Sequence, residues 1–385
     1  MANERIKEAI TLMQDFGERT GLTSGRLPRR YLWTDSFGVC NLLGLARTTG
    51  EDRYTQLALR LVDQVHHTLG RHRDDDSRTG WLSALNEKDG ERHPTRGGLR
   101  IGKALPERKT DQPLDEQLEW DRDGQYFHYL TKWMHALDQV ARATGQSSFN
   151  LWARELAQTA FDAFTYLPSP AGLRHMYWKM SIDLSRALVP SMGQHDPLDG
   201  YITYLELRST AATMPAAPSG PDLANETSQF ADMLDKRNLA TADPLGIGGL
   251  LYDACRVHRL MQHTTLSDER LLEDLLAASL IGLRYYADSE ELSGPSEYRL
   301  AFRELGLAIG LHAVEALWQT AECNAVSAET RTRLGALRHY ESIGREIEEF
   351  WLHPKHRGSA SWNEHRDINE VMLATSVAPT GFLIN

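Results

Sequence analysis

The sequence has few cysteines and lacks long apolar runs. Its three cysteines, Cys40, Cys255 and Cys323, lie far apart, which argues against a disulfide framework and favours a reducing compartment. No apolar run approaches the roughly 20 residues that a membrane-spanning helix needs, and the first residues lack the apolar core of a signal peptide. These absences predict a soluble, cytoplasmic protein that does not bind membranes.

Two further features are scarce: an excess of positive charge and the alternating pattern of β-strands. The formal net charge is −11, so a basic face for nucleic acid is not expected. Alternation of β-branched residues is almost confined to residues 70–119, which argues against a strand-rich fold. The cysteines show no metal-ligand spacing, and no glycine-rich phosphate loop follows a strand. We therefore expect neither a metal ion nor a cofactor.

Amphipathic helical segments fill most of the chain, and they come in pairs. Apolar residues recur at helical spacing, and the first helix of each pair tends to be more apolar than the second. The first helices start near Asp35, near Asp123, in the 177–207 region, and near Asp243, Phe302 and Asp367. Their partners are expected over 53–69, 148–166, 223–237, 268–288 and 328–352. Alternating inner and outer helices in six hairpins predict an all-α (α/α)6 toroid, and the helix over 3–17 can pair with the last helix to close it. We expect one domain over residues 1–385.

The longest irregular stretch, residues 70–119, is predicted to be an insertion at the mouth of the toroid. It is rich in Gly, Arg and Asp, and residues 81–85 and 99–102 read as short strands. Just before it, His66, His67 and His72 at the end of an outer helix are expected to be exposed to solvent. A loop of this length is usually functional or disordered.

Acidic and aromatic residues recur where loops become the first helices of the pairs. In a toroid these helix starts meet at one end, where unpaired N–H groups favour carboxylates. Helix capping alone explains many such aspartates, Asp123 and Asp243 above all, but capping does not require a neighbouring tryptophan. Aromatic faces stack on sugar rings, and carboxylates bond their hydroxyls. We therefore predict a carbohydrate site with two sets of residues. The candidate catalytic carboxylates are Asp35, Asp121, Asp123 and Asp196. The candidate substrate-binding residues are Trp33, Trp120, Arg122, Tyr126, Trp178, His195, Asp243, Trp362, His365 and Arg366.

The stretches Tyr31-Leu32-Trp33-Thr34-Asp35 and Trp120-Asp121-Arg122-Asp123, together with the six hairpins, resemble the six-hairpin glycosidase superfamily. The greatest similarity is to unsaturated glucuronyl and rhamnogalacturonyl hydrolases, which also carry an aromatic residue two positions before an Asp at such junctions. This resemblance implies a glycoside hydrolase that acts on a small carbohydrate, with Asp35 and either Asp121 or Asp123 as acid and base.

Two alternatives stay open at the level of the sequence. Acylglucosamine 2-epimerases have a similar toroid with catalytic histidines at its mouth, which would make His128, His195 and His365 candidate bases in a sugar epimerase or isomerase. A non-catalytic helical scaffold would show the same hairpins, but it would not need acidic and aromatic residues at one end of the inner helices. The hydrolase is the function that we predict.

Overall fold

The computed structural model describes residues 2–169, 172–214, 219–263, 268–323 and 326–383. The chain divides into two compact units. The first unit comprises Gly17–Ala46 and Gly50–Leu234, and the second comprises Met1–Phe16, Arg47–Thr49 and Asp235–Asn385. None of the helices among the described residues is long and apolar enough to cross a membrane.

Nine helices are described up to residue 234. They are α1 (Ala2–Arg19), α2 (Leu32–Thr49), α3 (Asp52–Leu69), α4 (Glu87–Arg92), α5 (Glu116–Glu119), α6 (Phe127–Thr144), α7 (Ser147–Phe164), α8 (Asp196–Thr213) and α9 (Ala224–Met233). Helices α2 and α6 both end at a glycine in the left-handed conformation, Gly50 with φ 72° and Gly145 with φ 71°, which is the usual way to stop a helix and reverse the chain. Side chains in α2 are buried continuously from Leu32 to Leu45, whereas α3 buries one face only. The predicted contrast between an apolar first helix and an amphipathic second helix is therefore present in this pair.

Five short strands lie beside these helices. They are β1 (Gln125–Tyr126), β2 (Thr165–Tyr166), β3 (His175–Met176), β4 (Lys179–Met180) and β5 (Ala187–Val189). All pairings are antiparallel, in the order β1-β4-β5 and, separately, β2-β3. Tyr126 is paired with Lys179, so the residue before α6 is held next to the segment that carries Trp178.

The strands predicted over 81–85 and 99–102 do not form. Only isolated bridges, Arg71 with Trp81 and Leu105 with Arg122, occur at this insertion, and it contains the short helices α4 and α5 instead. Side chains hold the segment in place of a sheet. The Gln125 side chain, for example, accepts the Leu99 N–H at 2.8 Å and donates to the Gly97 carbonyl at 3.1 Å.

The second unit contains the remaining helices. They are α10 (Pro244–His263), α11 (Glu269–Ala287), α12 (Ala301–Cys323), α13 (Ala328–Arg338), α14 (Glu341–Leu352), α15 (Pro354–Arg357), α16 (Ala360–Glu364), α17 (Arg366–Val377) and α18 (Thr380–Leu383), with 3-10 turns at Glu291–Ser293 and Ser296–Tyr298. The single return helix predicted over 328–352 is interrupted between α13 and α14. Helices α10 and α12 pack at glycines, since a Cβ on Gly248 would lie 2.1 Å from the Gly306 carbonyl oxygen.

A buried carboxylate joins the two ends of the chain in the second unit. Glu348 of α14 accepts hydrogen bonds from Arg5 of α1 at 2.5 Å and from Ser376 of α17 at 2.5 Å, and it contacts His312 of α12 at 2.6 Å. Residues of three other helices thus contact one fully buried carboxylate of α14. The predicted association of the first helix with the end of the chain is observed within this unit.

Candidate functional site

The starts of α2, α6 and α8 meet in the first unit. The hydroxyl groups of Tyr31, before α2, and Tyr129, in the first turn of α6, lie 2.6 Å apart. Asp199, in the first turn of α8, pairs with Lys132 of α6 at 2.8 Å. The predicted gathering of first-helix starts is therefore present for these three helices.

Seven rings form an aromatic cluster at this junction, comprising Tyr31, Trp33, Trp120, Tyr126, His128, Tyr129 and Trp178. His128, Tyr126 and Trp178 contact one another: the ring centroid of His128 lies 5.3 Å from that of Tyr126 and 6.0 Å from that of Trp178, and the centroids of Tyr126 and Trp178 are 5.3 Å apart. Trp120 stands edge-on to Trp178 at 4.8 Å and is 52% exposed. Four separate chain segments thus place aromatic faces together, from a buried to an exposed end, as a carbohydrate site requires.

Trp33 is a buried member of the cluster and carries a hydrogen-bond donor without an acceptor among the described residues. It is 7% exposed and contacts Tyr129 with ring centroids 5.3 Å apart. Its Nε1–H has no hydrogen-bond partner among the described residues. Because an unsatisfied buried donor costs about 1–3 kcal/mol, this N–H is a candidate to bind an oxygen of a ligand.

Two lysines border the cluster. The Lys103 ammonium lies 5.4 Å from the Tyr31 ring centre, and the Lys179 ammonium lies 5.4 Å from that of Tyr126. Lys179 is fully buried and bonded to Glu119 at 2.9 Å. Burial lowers the pKa of Lys179 and the Glu119 contact partly offsets this effect. Lys179 therefore contacts the cluster from within the core, and Lys103 is the more accessible of the two cations.

Asp35 lies next to the cluster but is engaged in a local structure. Its carboxylate accepts the Tyr31 N–H at 2.9 Å and pairs with Arg30 at 3.3 Å, and it is 1% exposed. These contacts fix the entry of the chain into α2 and orient Tyr31. The predicted catalytic role of Asp35 stays a prediction, and the geometry favours a positioning role.

Asp123 anchors the insertion and does not cap a helix, because α6 begins at Phe127. Its fully buried carboxylate pairs with Arg100 at 2.6 Å and with Arg73 at 3.2 Å. It also accepts the N–H groups of Gly102 and Gly124, both at 3.0 Å. With its oxygens occupied in this way, Asp123 is better suited to structure than to proton transfer, and its catalytic role stays a prediction.

The carboxylates at the start of α8 differ in environment. Asp196 is 5% exposed and accepts the Gly193 N–H at 3.1 Å. Burial, followed by the charge of Asp199, raises the pKa of Asp196 to about 7. Asp199, half-buried, pairs with the Lys132 ammonium at 2.8 Å. Asp196 thus has the proton affinity that a general acid needs near neutral pH, and a second carboxylate stands three residues later in the chain.

His128 is the member of the cluster on which the charges of Asp199 and Lys132 act. Burial lowers the pKa of His128 to about 4, and the charge of Asp199 opposes this shift. The imidazole is therefore neutral at physiological pH, with one ring nitrogen available as an acceptor.

The other predicted residues of the first unit lie at the edge of the cluster. Asp121 is exposed, next to Trp120 in sequence. Arg122 donates to the carbonyls of Pro106 and Glu107 at 3.3 and 3.4 Å, so it holds the insertion. His195, half-buried, directly precedes α8.

The remaining predicted residues belong to the second unit, where helix starts also meet. Asp243 accepts from Arg303 at 3.0 Å, which links the starts of α10 and α12, and His365 contacts Phe302 with ring centroids 5.5 Å apart. Arg366 pairs with Glu370 at 2.7 Å within α17. Trp362 is 2% exposed and stacks on Trp351, an arrangement that suits a core. Substrate binding by Asp243, Trp362, His365 and Arg366 stays a prediction.

Sequence reasoning missed Tyr129 and Lys132 as members of the site. Tyr126 and Tyr129 are three residues apart at a helix start, which places them on one side, so the spacing was visible. The pairing of Lys132 with Asp199 joins residues 67 positions apart, and no local pattern signals it. No group of three or more metal-ligating side chains occurs within the described ranges.

Comparisons with known proteins agree with this architecture. No family model and no curated protein matches the sequence. Among solved structures, a sugar epimerase from a ruminal bacterium is similar over 97% of this chain and 98% of its own, with a TM-score of 0.51 at 11% identity. A GH76 α-mannanase from Bacteroides thetaiotaomicron is similar over 100% and 98%, with a TM-score of 0.53 at 7% identity. A cellobiose 2-epimerase from Spirochaeta thermophila reaches a TM-score of 0.47 at 11% identity over 90% of this chain and 86% of its own. The first two matches show the fold alone: the chain has the all-α (α/α)6 fold of these two solved structures, as the sequence predicts.

Proposed function

We propose that this protein is a carbohydrate-active enzyme that hydrolyses a glycosidic bond at the aromatic cluster. The observation that carries the proposal is the cluster itself, in which four chain segments bring ring faces together and Trp33 has a buried N–H without a partner among the described residues. A sugar presents C–H faces to aromatic rings and oxygens to such a donor. The shared fold with a mannanase and a sugar epimerase supports the substrate class.

Asp196 is the proposed general acid. Hydrolysis needs one carboxylic acid that protonates the leaving oxygen and a second carboxylate that activates water or attacks the sugar. A pKa of about 7 keeps Asp196 partly protonated at neutral pH, and Asp199 beside it is the candidate second carboxylate. The exposed Asp121, near Trp120, is an alternative for either role.

Epimerisation is the second candidate, and the environment of His128 favours it. A neutral imidazole beside the Tyr126 and Trp178 rings could remove a proton from the carbon next to a sugar carbonyl. The Tyr31 and Tyr129 hydroxyl pair, with oxygens 2.6 Å apart, could bond the oxygen on which negative charge develops. The two reactions share the binding cluster and differ in the group that handles the proton.

Product analysis with matched variants tests both reactions. Purified protein is incubated with oligosaccharides and with reducing sugars, and products are identified by NMR. Hydrolysis yields new reducing ends, whereas epimerisation changes configuration without cleavage.

We expect cleavage by the wild type. The rate should fall at least about 100-fold in Asp196→Asn, which is the lower range for loss of a general acid, and it should fall much less in His128→Gln. Epimer formation that His128→Gln abolishes would favour the second reaction. Full turnover by Asp196→Asn, Asp199→Asn and Asp121→Asn would refute the hydrolase.

A further inference from the structure

A second cavity lies between helices α3 and α7 of the first unit. It has a volume of about 180 Å³ and shares no lining residue with the aromatic cluster. Its walls include Val62 and His66 of α3, Phe149 and Trp152 of α7, and Trp81 and Glu91 of the insertion. We call it the outer cavity. Its size suits one ring-shaped molecule, not a polymer.

Aromatic rings held by their own contacts form the walls of the outer cavity. Trp152 stands perpendicular to His66 at 5.3 Å and to Phe149 at 5.0 Å. Its indole N–H donates to the Arg92 carbonyl at 2.8 Å, which fixes the ring. Aromatic side chains that are already ordered lose little conformational freedom when a ligand binds.

His66 contributes a hydrogen-bond donor to the outer cavity. It was expected to be exposed, but it is 3% exposed. The Trp133 indole N–H donates to His66 Nε2 at 3.2 Å. Because an indole can only donate, Nε2 is the acceptor and the single proton of the neutral ring lies on Nδ1. That N–H has no acceptor among the described residues, on a side chain that lines the cavity.

Two carboxylates supply acceptors at the solvent-exposed part of the lining. Asp63 and Glu91 both line the cavity and flank His67, at 3.2 Å from Nδ1 and 2.8 Å from Nε2. Their side chains are 69% and 47% exposed. Each carboxylate can accept more hydrogen bonds than His67 supplies.

We propose that the outer cavity is a second sugar-binding site, for a single pyranose ring, outside the aromatic cluster. A hydroxyl group both donates and accepts, so one hydroxyl-bearing ring can satisfy the His66 Nδ1–H and the carboxylates of Asp63 and Glu91 together. Its C–H face packs on Trp152. A purely apolar molecule would leave the His66 donor unpaired at a cost of about 1–3 kcal/mol.

Fluorine NMR of the full chain labelled with 5-fluorotryptophan tests this site. The nine tryptophans give separate signals, assigned by single Trp→Phe variants, and Trp152 and Trp81 report the outer cavity while Trp33 and Trp178 report the aromatic cluster. The probes are methyl α-mannoside, methyl β-glucoside, methyl β-galactoside and N-acetylglucosamine. We expect at least one of them to shift the Trp152 and Trp81 signals saturably.

Two neighbouring substitutions on α3 provide the variant and its control. Leu59→Tyr places a larger side chain in the cavity lining and is expected to weaken the Trp152 response at least tenfold. Arg60→Tyr adds the same ring at the adjacent exposed position and should leave the response unchanged. Unchanged binding in Leu59→Tyr, or signals of Trp152 and Trp81 that respond to none of the four sugars, would overturn the proposal. Loss of the Trp33 and Trp178 responses alone would count against the proposed function and not against the outer cavity.

Discussion

Single residues in this protein acquire their roles from neighbours that are distant in the sequence. Asp35, Asp123 and Asp196 look alike in the sequence, each close to a helix start. In the structure Asp35 pairs with Arg30, and Asp123 anchors the insertion through Arg73 and Arg100. Asp196 is buried and accepts the Gly193 N–H, while the nearby Lys132 pairs with Asp199. Proximity to helix starts was predictable. The partners were not, because they depend on tertiary contacts.

The raised pKa of Asp196 predicts a pH-dependent stability. The folded carboxyl holds its proton up to a pH of about 7, whereas an unfolded Asp releases it near 3.8. The folded state binds more protons between these values, so the free energy of unfolding attributable to Asp196 falls as the pH rises from about 4 to 7. Urea unfolding of the Asp196→Asn variant should therefore show a gain relative to the wild type between pH 4.5 and 7.5, of a few kcal/mol at about 1.4 kcal/mol per pKa unit. Parallel profiles would contradict the assignment.

Asp123 and Asp121 form a matched pair for testing the anchor. Asp123→Asn removes the charge that balances two arginines, and breaking buried pairs of this kind costs about 3–5 kcal/mol. We expect faster limited proteolysis within residues 70–119 and a lower melting temperature. Asp121→Asn changes an exposed side chain two positions earlier and should alter neither measurement. Equal protease sensitivity of the two variants would show that the insertion does not depend on Asp123.

At the scale of elements, helices were more predictable than strands. Long amphipathic helices repeat their pattern over several turns, and the predicted bounds of α3 and α7 differ from the observed ones by one or two residues. Strands of two or three residues, such as β1 and β4, contain too few positions for an alternation to appear. The segments 81–85 and 99–102 looked like strands, but other contacts hold them: the Leu82 N–H donates to the Gly70 carbonyl, and residues 99–102 are bonded by the side chains of Gln125 and Asp123.

The contact between α10 and α12 depends on the absence of a side chain at Gly248. Gly248→Ala would place a Cβ 2.1 Å from the Gly306 carbonyl oxygen. That oxygen belongs to the backbone of α12 and cannot move aside alone. We expect a loss of more than about 2 kcal/mol, because the helices must separate. Gly249→Ala is the control: its Cβ would meet nothing within 4 Å, and replacing a helical glycine by alanine should stabilise the protein by about 0.5–1 kcal/mol. Chemical denaturation measures both values, and equal signs would contradict the packing described.

At the scale of the whole molecule, the second unit is built from both ends of the chain. Glu348 is bonded to Arg5, His312 and Ser376, residues of three different helices. Burial raises its pKa, but the His312, Ser376 and Arg5 contacts outweigh burial, and the pKa is lowered below 4.5. Its contribution to stability is therefore present above pH 4.5 and is lost as the pH falls through the lowered value.

Glu348→Ala should loosen both ends of the chain together. The variant leaves three polar partners without their acceptor, and we expect a loss of about 3–5 kcal/mol. Hydrogen exchange should accelerate in residues 2–16 and in α17. Glu8→Ala removes a partly exposed pair with Arg357 and should cost less than about 1 kcal/mol. Faster exchange confined to α14 would show that Glu348 does not connect the two ends.

The same shared side chain has a consequence for biosynthesis. Arg5 emerges from the ribosome long before Glu348 and Ser376 are synthesised. Helix α1 therefore lacks its contact with Glu348, and the full set of contacts cannot form until synthesis has passed residue 376. Residues 17–234, by contrast, contain all members of their own compact unit. The order of translation thus favours cotranslational folding of the unit that carries the aromatic cluster, while the other unit can be completed only after synthesis has passed residue 376.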